Sequence, residues 1–277
     1  MKITDISGYA ELSNKVKMPY LGLGVYLAQE GEEVINAVKC ALNAGYRHID
    51  TAALYENEKG VGKAIRESGI KREDIFVTTK VWNSDQGYDS TLRAFDRSLD
   101  NLGFDYIDLY LVHWPVKGKY KDTWRALETI YLQGRVRAIG VSNFLKHHLV
   151  DLMNSAQIMP MVNQMEFHPY LVQQELIDFC HSHHIQYEAW SPLMQGRITE
   201  VKLLNDLAHK YKKDPAQITL RWDLQKGVVT IPKSVTPARI ISNTQIFDFA
   251  LTEEDMKLID SLDKGHRFGA DPDNFDF

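Results

Sequence analysis

Ile75-Phe-Val-Thr-Thr-Lys80, then Asp89–Leu102, then Asp108-Leu-Tyr-Leu-Val-His113 reads as strand, helix, strand. Both outer runs are short, apolar and rich in β-branched or aromatic residues, as strands require. The middle stretch carries its apolar residues at helical spacing. The same unit recurs outward in both directions. Strand candidates are Tyr20–Val25, Arg47–Asp50, Ile75–Lys80, Asp108–His113, Ala138–Val141, Met161–Glu166, Gln186–Trp190 and Val228–Pro232. Between them, Glu32–Asn43 places Val34, Ile35, Val38, Ala41 and Leu42 on one helical face, and Thr123–Gln133 follows the same pattern. Asp214-Pro215 reads as an N-cap with proline in the first turn. Thr252-Glu-Glu-Asp255 reads as a capping box opening a helix to Leu262.

Repeated strand-then-helix units imply parallel strands joined by crossovers. A closed eight-stranded barrel and an open doubly wound sheet are the two candidates. No linker or low-complexity stretch divides the chain, so one barrel ranks above two domains. Tyr9–Met18 alternates on both sides of Ser13 and Asn14, which reads as a hairpin. It has no place among the barrel strands and is expected to cover the bottom. Residues 1–277 are thus expected to form a single domain. Residues 1–19 hold the hairpin, 20–250 the barrel, and 251–277 an extra helix and tail.

Composition narrows the function. The 277 residues are 44% hydrophobic and 25% charged, ordinary for a globular chain that buries about three quarters of its unfolded surface. Two cysteines, Cys40 and Cys180, without a C-x-x-C pair, exclude a disulfide scaffold and a cysteine-rich zinc module. The balance of 32 cations against 37 anions, −5, with no basic stripe, argues against nucleic-acid binding. Met1–Ser7 shows no secretory signal, and no apolar run approaches the ~18 residues of a membrane span. The default expectation is a cytoplasmic protein that does not bind membranes.

Two nucleotide motifs fail. Gly22 and Gly24 begin a G-x-G-x-x-G, but Leu27 stands third; Gly60 and Gly62 are followed by Ile65. Gly62-Lys63 mimics a P-loop end, but Asn57 occupies the earlier glycine position. His147-His148 and His181-Ser-His183-His184 have no nearby cysteine or paired carboxylate in sequence, so they read as solvated helix faces. No metal is expected.

Active sites of parallel barrels lie where strands end. Three consecutive strand candidates end in Asp50, Lys80 and His113, and Tyr55 follows Asp50 in the next loop. A tyrosine is a weak acid, with a pKa of about 10. An adjacent ammonium would lower it. Asp50 would hold Lys80 charged, and His113 would fix a substrate oxygen. Such a set protonates a carbonyl oxygen as it gains negative charge. No side chain supplies hydride, so a cofactor must.

Gly45-Tyr-Arg-His-Ile-Asp-Thr-Ala-Ala-Leu-Tyr55-Glu-Asn-Glu, with Val61-Gly62, resembles the first signature of the aldo-keto reductases. Asp108-Leu-Tyr-Leu-Val-His-Trp-Pro115, Gly140-Val-Ser-Asn-Phe144, Val162-Asn-Gln-Met-Glu-Phe-His-Pro169 and Ile231-Pro-Lys-Ser234 agree with later blocks. Matches run from Gly22 to the end. The resemblance implies a (β/α)8 TIM barrel with a hairpin under its base. It also implies NADPH-dependent carbonyl reduction, with Asp50, Tyr55, Lys80 and His113 as the catalytic tetrad.

The resemblance further implies that Ser142, Asn143 and Gln164 hold the nicotinamide carboxamide. Trp190 would stack on the ring, where many members have tyrosine. Ser191, Leu193 and Gly196 would follow the pyrophosphate. Lys233, Ser234 and Arg239 would hold the 2′-phosphate, with Asn243 near the adenine; two cations there favour NADP(H) over NAD(H). Tyr26, Trp82, Asn83 and Trp114, with His113, would line the substrate pocket. The short Trp114–Lys121 loop and short tail suggest an open mouth. The ending Asp271-Pro-Asp-Asn-Phe-Asp-Phe277 resembles the bacterial glyoxal/methylglyoxal and 2,5-diketo-gluconate reductases. That favours small aldehydes, dicarbonyls and keto-sugars, on a monomer. Two other readings remain open: a lyase using Lys80 as a Schiff-base nucleophile, and a non-catalytic nicotinamide-sensing subunit.

Overall fold

The computed structural model describes residues 3–277; Met1 and Lys2, part of the 1–19 segment and of the N-terminal reading, lie outside the described residues. Two short strands, β1 (Tyr9–Glu11) and β2 (Lys17–Pro19), form the antiparallel hairpin. Eight parallel strands follow: β3 (Leu23–Gly24), β4 (His48–Asp50), β5 (Phe76–Val81), β6 (Ile107–Val112), β7 (Val136–Ser142), β8 (Val162–Glu166), β9 (Gln186–Trp190) and β10 (Val229–Thr230). Their spatial order is their chain order. The helices are α1 (Glu32–Asn43), α2 (Glu58–Glu67), α3 (Tyr88–Leu102), α4 (Tyr120–Leu132), α5 (Lys146–Met153), α6 (Gln174–Ser182), α7 (Lys202–Tyr211), α8 (Pro215–Gln225), α9 (Pro237–Ser242) and α10 (Glu253–Asp260).

The sheet closes on itself. Parallel bridges join Leu21 to Thr230 and Gly24 to Lys233. Gly22 N donates to Thr230 O at 2.9 Å, and Thr230 N donates to Tyr20 O at 2.9 Å. The expected eight strands are therefore present as a barrel, with β3 and β10 shortened at the seam. The two glycines that fail as a nucleotide motif serve this closure. A Cβ on Gly22 would stand 2.7 Å from His48 Nδ1, and one on Gly24 would stand 2.9 Å from Ile231 O. Gly62 does similar work outside, where α2 meets the end of α3: a Cβ there would lie 2.0 Å from Leu102 O.

The hairpin sits at the lower rim. Asn14 Nδ2 donates to Arg137 O at 2.8 Å, beside the start of β7. Ala10, Leu12 and Met18 are buried there. The Asp214 cap forms as expected, accepting from Gln217 N at 2.8 Å while Gln217 Oε1 accepts from Asp214 N at 2.9 Å. The Thr252 box is only half made. Thr252 Oγ1 accepts from Asp255 N at 3.2 Å, but Thr252 N donates to Tyr211 OH instead. The Asp255 carboxylate is drawn away by Lys210 at 2.7 Å and by the Tyr211 hydroxyl. α10 stops at Asp260, short of Leu262.

Candidate active site

Asp50 is the last residue of β4, Lys80 lies one residue from the end of β5, and His113 follows β6 directly. All three therefore sit at the C-terminal rim. Tyr55 closes a 3₁₀ turn, Ala53–Tyr55, after which Glu56 adopts left-handed backbone at φ 55°. Three buried hydrogen bonds pin that turn: Thr51 Oγ1 donates to Asn57 Oδ1 at 2.7 Å, and Asn57 Nδ2 donates to Val25 O and Ala28 O at 3.0 Å each.

Lys80 is fully enclosed and donates to Asp50 Oδ1 at 2.7 Å, Thr51 O at 2.9 Å and Tyr55 OH at 3.4 Å. Three donors meet three acceptors, so the ammonium is satisfied. Burial favours the neutral amine, but Asp50, Tyr55 and Glu188 together outweigh it and raise the Lys80 pKa. Burial raises Asp50 against the pull of Lys80. The pair stays ionised because, among the described residues, each charge is the other's one counter-charge at contact distance. A neutral nucleophilic amine is not what this setting produces, which removes the support for a Schiff-base lysine.

The tyrosine departs from expectation. Burial, opposed by Lys80, pushes Tyr55 up to about 12 rather than down. The ammonium is near, but desolvation of a phenolate costs more than it returns. Tyr55 therefore holds its proton at neutral pH. His113 is driven well below its ordinary value by burial and by Lys80, so its ring is neutral. Its Nδ1 is enclosed without a partner.

Four of the other expected residues, Ser142, Asn143, Gln164 and Trp190, are linked to this centre by hydrogen bonds. Asn143, at φ 65°, donates from Nδ2 to His113 O at 3.0 Å and Ser142 Oγ at 3.1 Å. Ser142 Oγ donates to Gln164 O at 3.0 Å. Gln164 Nε2 donates to Asp50 Oδ2 at 2.8 Å. Trp190 Nε1 donates to Asn143 Oδ1 at 2.9 Å, so the indole supplies a hydrogen bond as well as a face. Ser191 (φ 54°), Met194 (φ 51°), Gln195 (φ 55°) and Gly196 (φ 92°) hold the next loop in left-handed backbone, with Leu193 at the start of its 3₁₀ turn. Such clustered strain belongs to functional loops. Lys233 and Arg239 are exposed and make no salt bridge among the described residues; Ser234 and Asn243 are buried nearby in sequence. Two exposed cations without a salt bridge among the described residues fit a phosphate-rich ligand.

On the opposite wall, Tyr26 is half exposed and packs on Tyr55 at 4.9 Å. Trp82 meets His113 edge-on at 5.1 Å. The expectation of a mouth left open by a short tail needs correction. Phe277 stacks flat on Trp82 at 5.7 Å, and its carbonyl accepts from Asn83 Nδ2 at 3.0 Å. Phe275 and Phe277 both pack on Trp114, at 5.1 and 5.2 Å. The tail is part of the wall.

The histidine runs divide. His181, His183 and His184 are exposed. His147 and His148 are not a plain solvated face: their Nε2 atoms reach Asp273 Oδ1 of the tail at 2.9 and 3.4 Å. His148 Nδ1 accepts from Leu145 N at 3.2 Å, so its proton sits on Nε2 and that nitrogen has no lone pair for a metal. Sequence reading also missed Glu188. It lies buried on β9, 2.9 Å from Gln164 Nε2, and burial followed by the charge of Asp50 raises it to about 8.

Comparison with known proteins agrees with this geometry. The aldo/keto reductase family profile matches residues 21–264. The glyoxal reductase of Bacillus subtilis (strain 168) is 57% identical over 274 residues, covering 99% of each chain. An aldo-keto reductase enzyme from a Medee basin deep-sea metagenome library superposes with a TM-score of 0.94 at 50% identity, over 97% of this chain and 100% of that one. A mutant of Gox0644 in complex with NADPH gives 0.92 at 42% identity, over 97% and 98%.

Proposed function

The chain belongs to the aldo/keto reductase family, and we propose that it uses NADPH to reduce small aldehydes, dicarbonyls such as methylglyoxal, and keto-sugars to alcohols. The observation that carries this is the buried Asp50–Lys80–Tyr55 chain, with an acid that keeps its proton until a substrate oxygen needs it. NADPH supplies the hydride that the carbonyl carbon receives. Tyr55 gives its hydroxyl proton to the carbonyl oxygen. The phenolate left behind faces the Lys80 ammonium at 3.4 Å, which stabilises it when it forms. Asp50 holds that ammonium in place. His113, being neutral, donates a hydrogen bond to the substrate oxygen without competing as the acid.

Ser142, Asn143 and Gln164 would hold the carboxamide, and Trp190 would stack on the nicotinamide. Ser191, Leu193 and Gly196 follow the pyrophosphate. Lys233, Ser234 and Arg239 take the 2′-phosphate, and Asn243 the adenine. Tyr26, Trp82, Asn83 and Trp114 contact substrate, with Phe275 and Phe277 behind them. The 57% identity to a glyoxal reductase supports small dicarbonyls. The free thiols Cys40 and Cys180 support a cytoplasmic address. A monomer suffices, because every residue named comes from one barrel.

The test is a steady-state carbonyl panel with NADPH and NADH side by side, on wild type and Tyr55→Phe. Methylglyoxal should drive NADPH oxidation, with NADPH preferred. The variant should bind NADPH and lose turnover. Full activity in Tyr55→Phe would overturn the assignment of the acid.

A further inference from the structure

We propose that Glu188 is a positioning residue for the cofactor site: it fixes the amide of Gln164 so that its carbonyl oxygen, not its nitrogen, is offered to the nicotinamide carboxamide. The inference rests on the reading of Gln164 as a carboxamide contact.

The geometry is a column inside the barrel. Glu188 stands opposite Gln164 in the β8–β9 register, and both side chains are enclosed. Gln164 Nε2 donates to Asp50 Oδ2 at 2.8 Å and to Glu188 Oε2 at 2.9 Å. A primary amide has two N–H hydrogens and no more. Both are spent, so Oε1 is the amide's one unused polar group, and no partner for it occurs among the described residues. Reversing the amide would set that oxygen against the Asp50 carboxylate, acceptor to acceptor. With Asp50 alone, one hydrogen bond would hold the amide and its outer half could swing. Glu188 supplies the second point that makes the orientation unique. An outward carbonyl suits the NH₂ side of a carboxamide, which can only donate.

Glu188 is held through Oε2 alone: His48 Nε2 bonds Thr78 Oγ1 at 3.2 Å and lies 3.6 Å from Glu188 Oε1, beyond hydrogen-bond distance, so that oxygen is buried without a partner. The charged groups facing Glu188 are Asp50 on β4 and Lys80 on β5; His48 on β4 is kept neutral by burial, and β10 presents Val229 in register. Among the described residues no other charged group influences it. A protonated Glu188 leaves Lys80 a single carboxylate to satisfy, so the ammonium keeps its capacity for Tyr55. Ionisation of Glu188 on raising the pH would place a second anion beside Asp50, divert Lys80 from Tyr55 and hinder phenolate formation.

Two variants test this, each measured for NADPH affinity by fluorescence titration and for kcat and KM from pH 6 to pH 9.5. Glu188→Leu removes the second anchor; NADPH affinity should fall about tenfold at pH 7, with a smaller effect on kcat. Glu188→Gln keeps an oxygen for Gln164 and cannot ionise. It should bind NADPH within about twofold of wild type and lose the wild-type inflection of kcat near pH 8. Leucine at 188 without effect on NADPH affinity, or an inflection near pH 8 that survives in Glu188→Gln, overturns the proposal. If Glu188→Leu does not fold, Glu188→Met, which keeps the volume and removes the acceptor, takes its place in the NADPH titration. Absence of NADPH binding in wild type would instead overturn the cofactor reading, so the two failures are separable.

Discussion

The Asp50–Lys80 pair is the sharpest place to perturb the protein. The two charges sit 2.7 Å apart with side chains 3% and 0% exposed. At an effective dielectric of about 20, their attraction is about 6 kcal/mol. Desolvation of both ions offsets much of this, so the pair's net worth is small while the cost of breaking it is large. Removing one partner of a buried pair costs about 3–5 kcal/mol. At roughly 2 °C per kcal/mol for a chain of this size, Asp50→Asn and Lys80→Met should each lower Tm by about 6–10 °C. The double variant leaves no charge stranded, so the two losses should not add. A coupling of about 2 kcal/mol or more is expected. The pH adds a second signature. In Lys80→Met the Asp50 carboxyl has lost its counter-charge, and its pKa rises further. A raised carboxyl pKa contributes stability at low pH that is lost as pH rises through it. Lys80→Met should therefore be less destabilised at pH 5 than at pH 8. Thermal melts of wild type, both single variants and the double variant at the two pH values complete the cycle, with turnover followed in parallel. Single variants that melt within 2 °C of wild type, or losses that simply add in the double variant, would refute the buried pair as described.

Three further outcomes follow from the same contacts. Glu188, raised to about 8 against about 4.5 in the unfolded chain, contributes stability that is full below pH 4.5 and lost as pH climbs towards 8; Glu188→Gln should flatten the decline of Tm between pH 5 and pH 8, and an unchanged decline in melting scans would exclude the raised pKa. Arg239→Ala removes one unpaired cation expected on the 2′-phosphate, where charge-assisted hydrogen bonds carry about 1.5–3 kcal/mol; KM for NADPH should rise about 10- to 100-fold with KM for NADH little changed, and equal rises would move the 2′-phosphate elsewhere. Gly269→Ala would put a Cβ 2.3 Å from the tip of the Trp190 indole; the ring must shift, the Trp190–Asn143 hydrogen bond should break, and NADPH affinity should fall with a change in tryptophan emission, so unaltered emission and affinity would count against Trp190 as the stacking ring.

The eight strands could be read because barrel interiors demand apolar runs on both faces of every strand, a pattern few other folds repeat. Asp50, Lys80 and His113 could be read because each interrupts such a run at its end. Glu188 breaks the same rule in mid-strand, in Gln186-Tyr-Glu-Ala-Trp190, and that misfit was the available signal. It gave no partner, because Gln164 and Asp50 are brought to it only by strand order and shear. The direction of the Tyr55 shift was not readable either: spacing suggests a cation nearby, whereas the sign depends on how completely the site is enclosed. The tail escaped for a third reason. Phe275 and Phe277 have no periodic neighbours, and their place on Trp82 and Trp114 follows from the barrel surface they meet.

Two buried aspartates show how one barrel separates stability from chemistry. Asp108, near the start of β6, accepts at Oδ1 from Arg137 at 2.7 Å and at Oδ2 from Arg72 at 2.7 Å and Val77 N at 3.0 Å. Both arginines keep solvent contact, at 41% and 21% exposure, so their charge is shared with water and the carboxylate is permanently satisfied. Asp50, at the other end, relies on donors that each have a second task. Lys80 also reaches Tyr55, and Gln164 still has an oxygen to offer. The Asp50 side chain is only 3% exposed, so bulk solvent takes little of the load. An ion pair in that position is a poor source of stability, since an apolar pair of the same shape would do as well. The proposed mechanism gives it a purpose: a charge would be available where a Tyr55 phenolate forms. The lower aspartate is built to be finished, and the upper one to remain responsive to what enters the mouth.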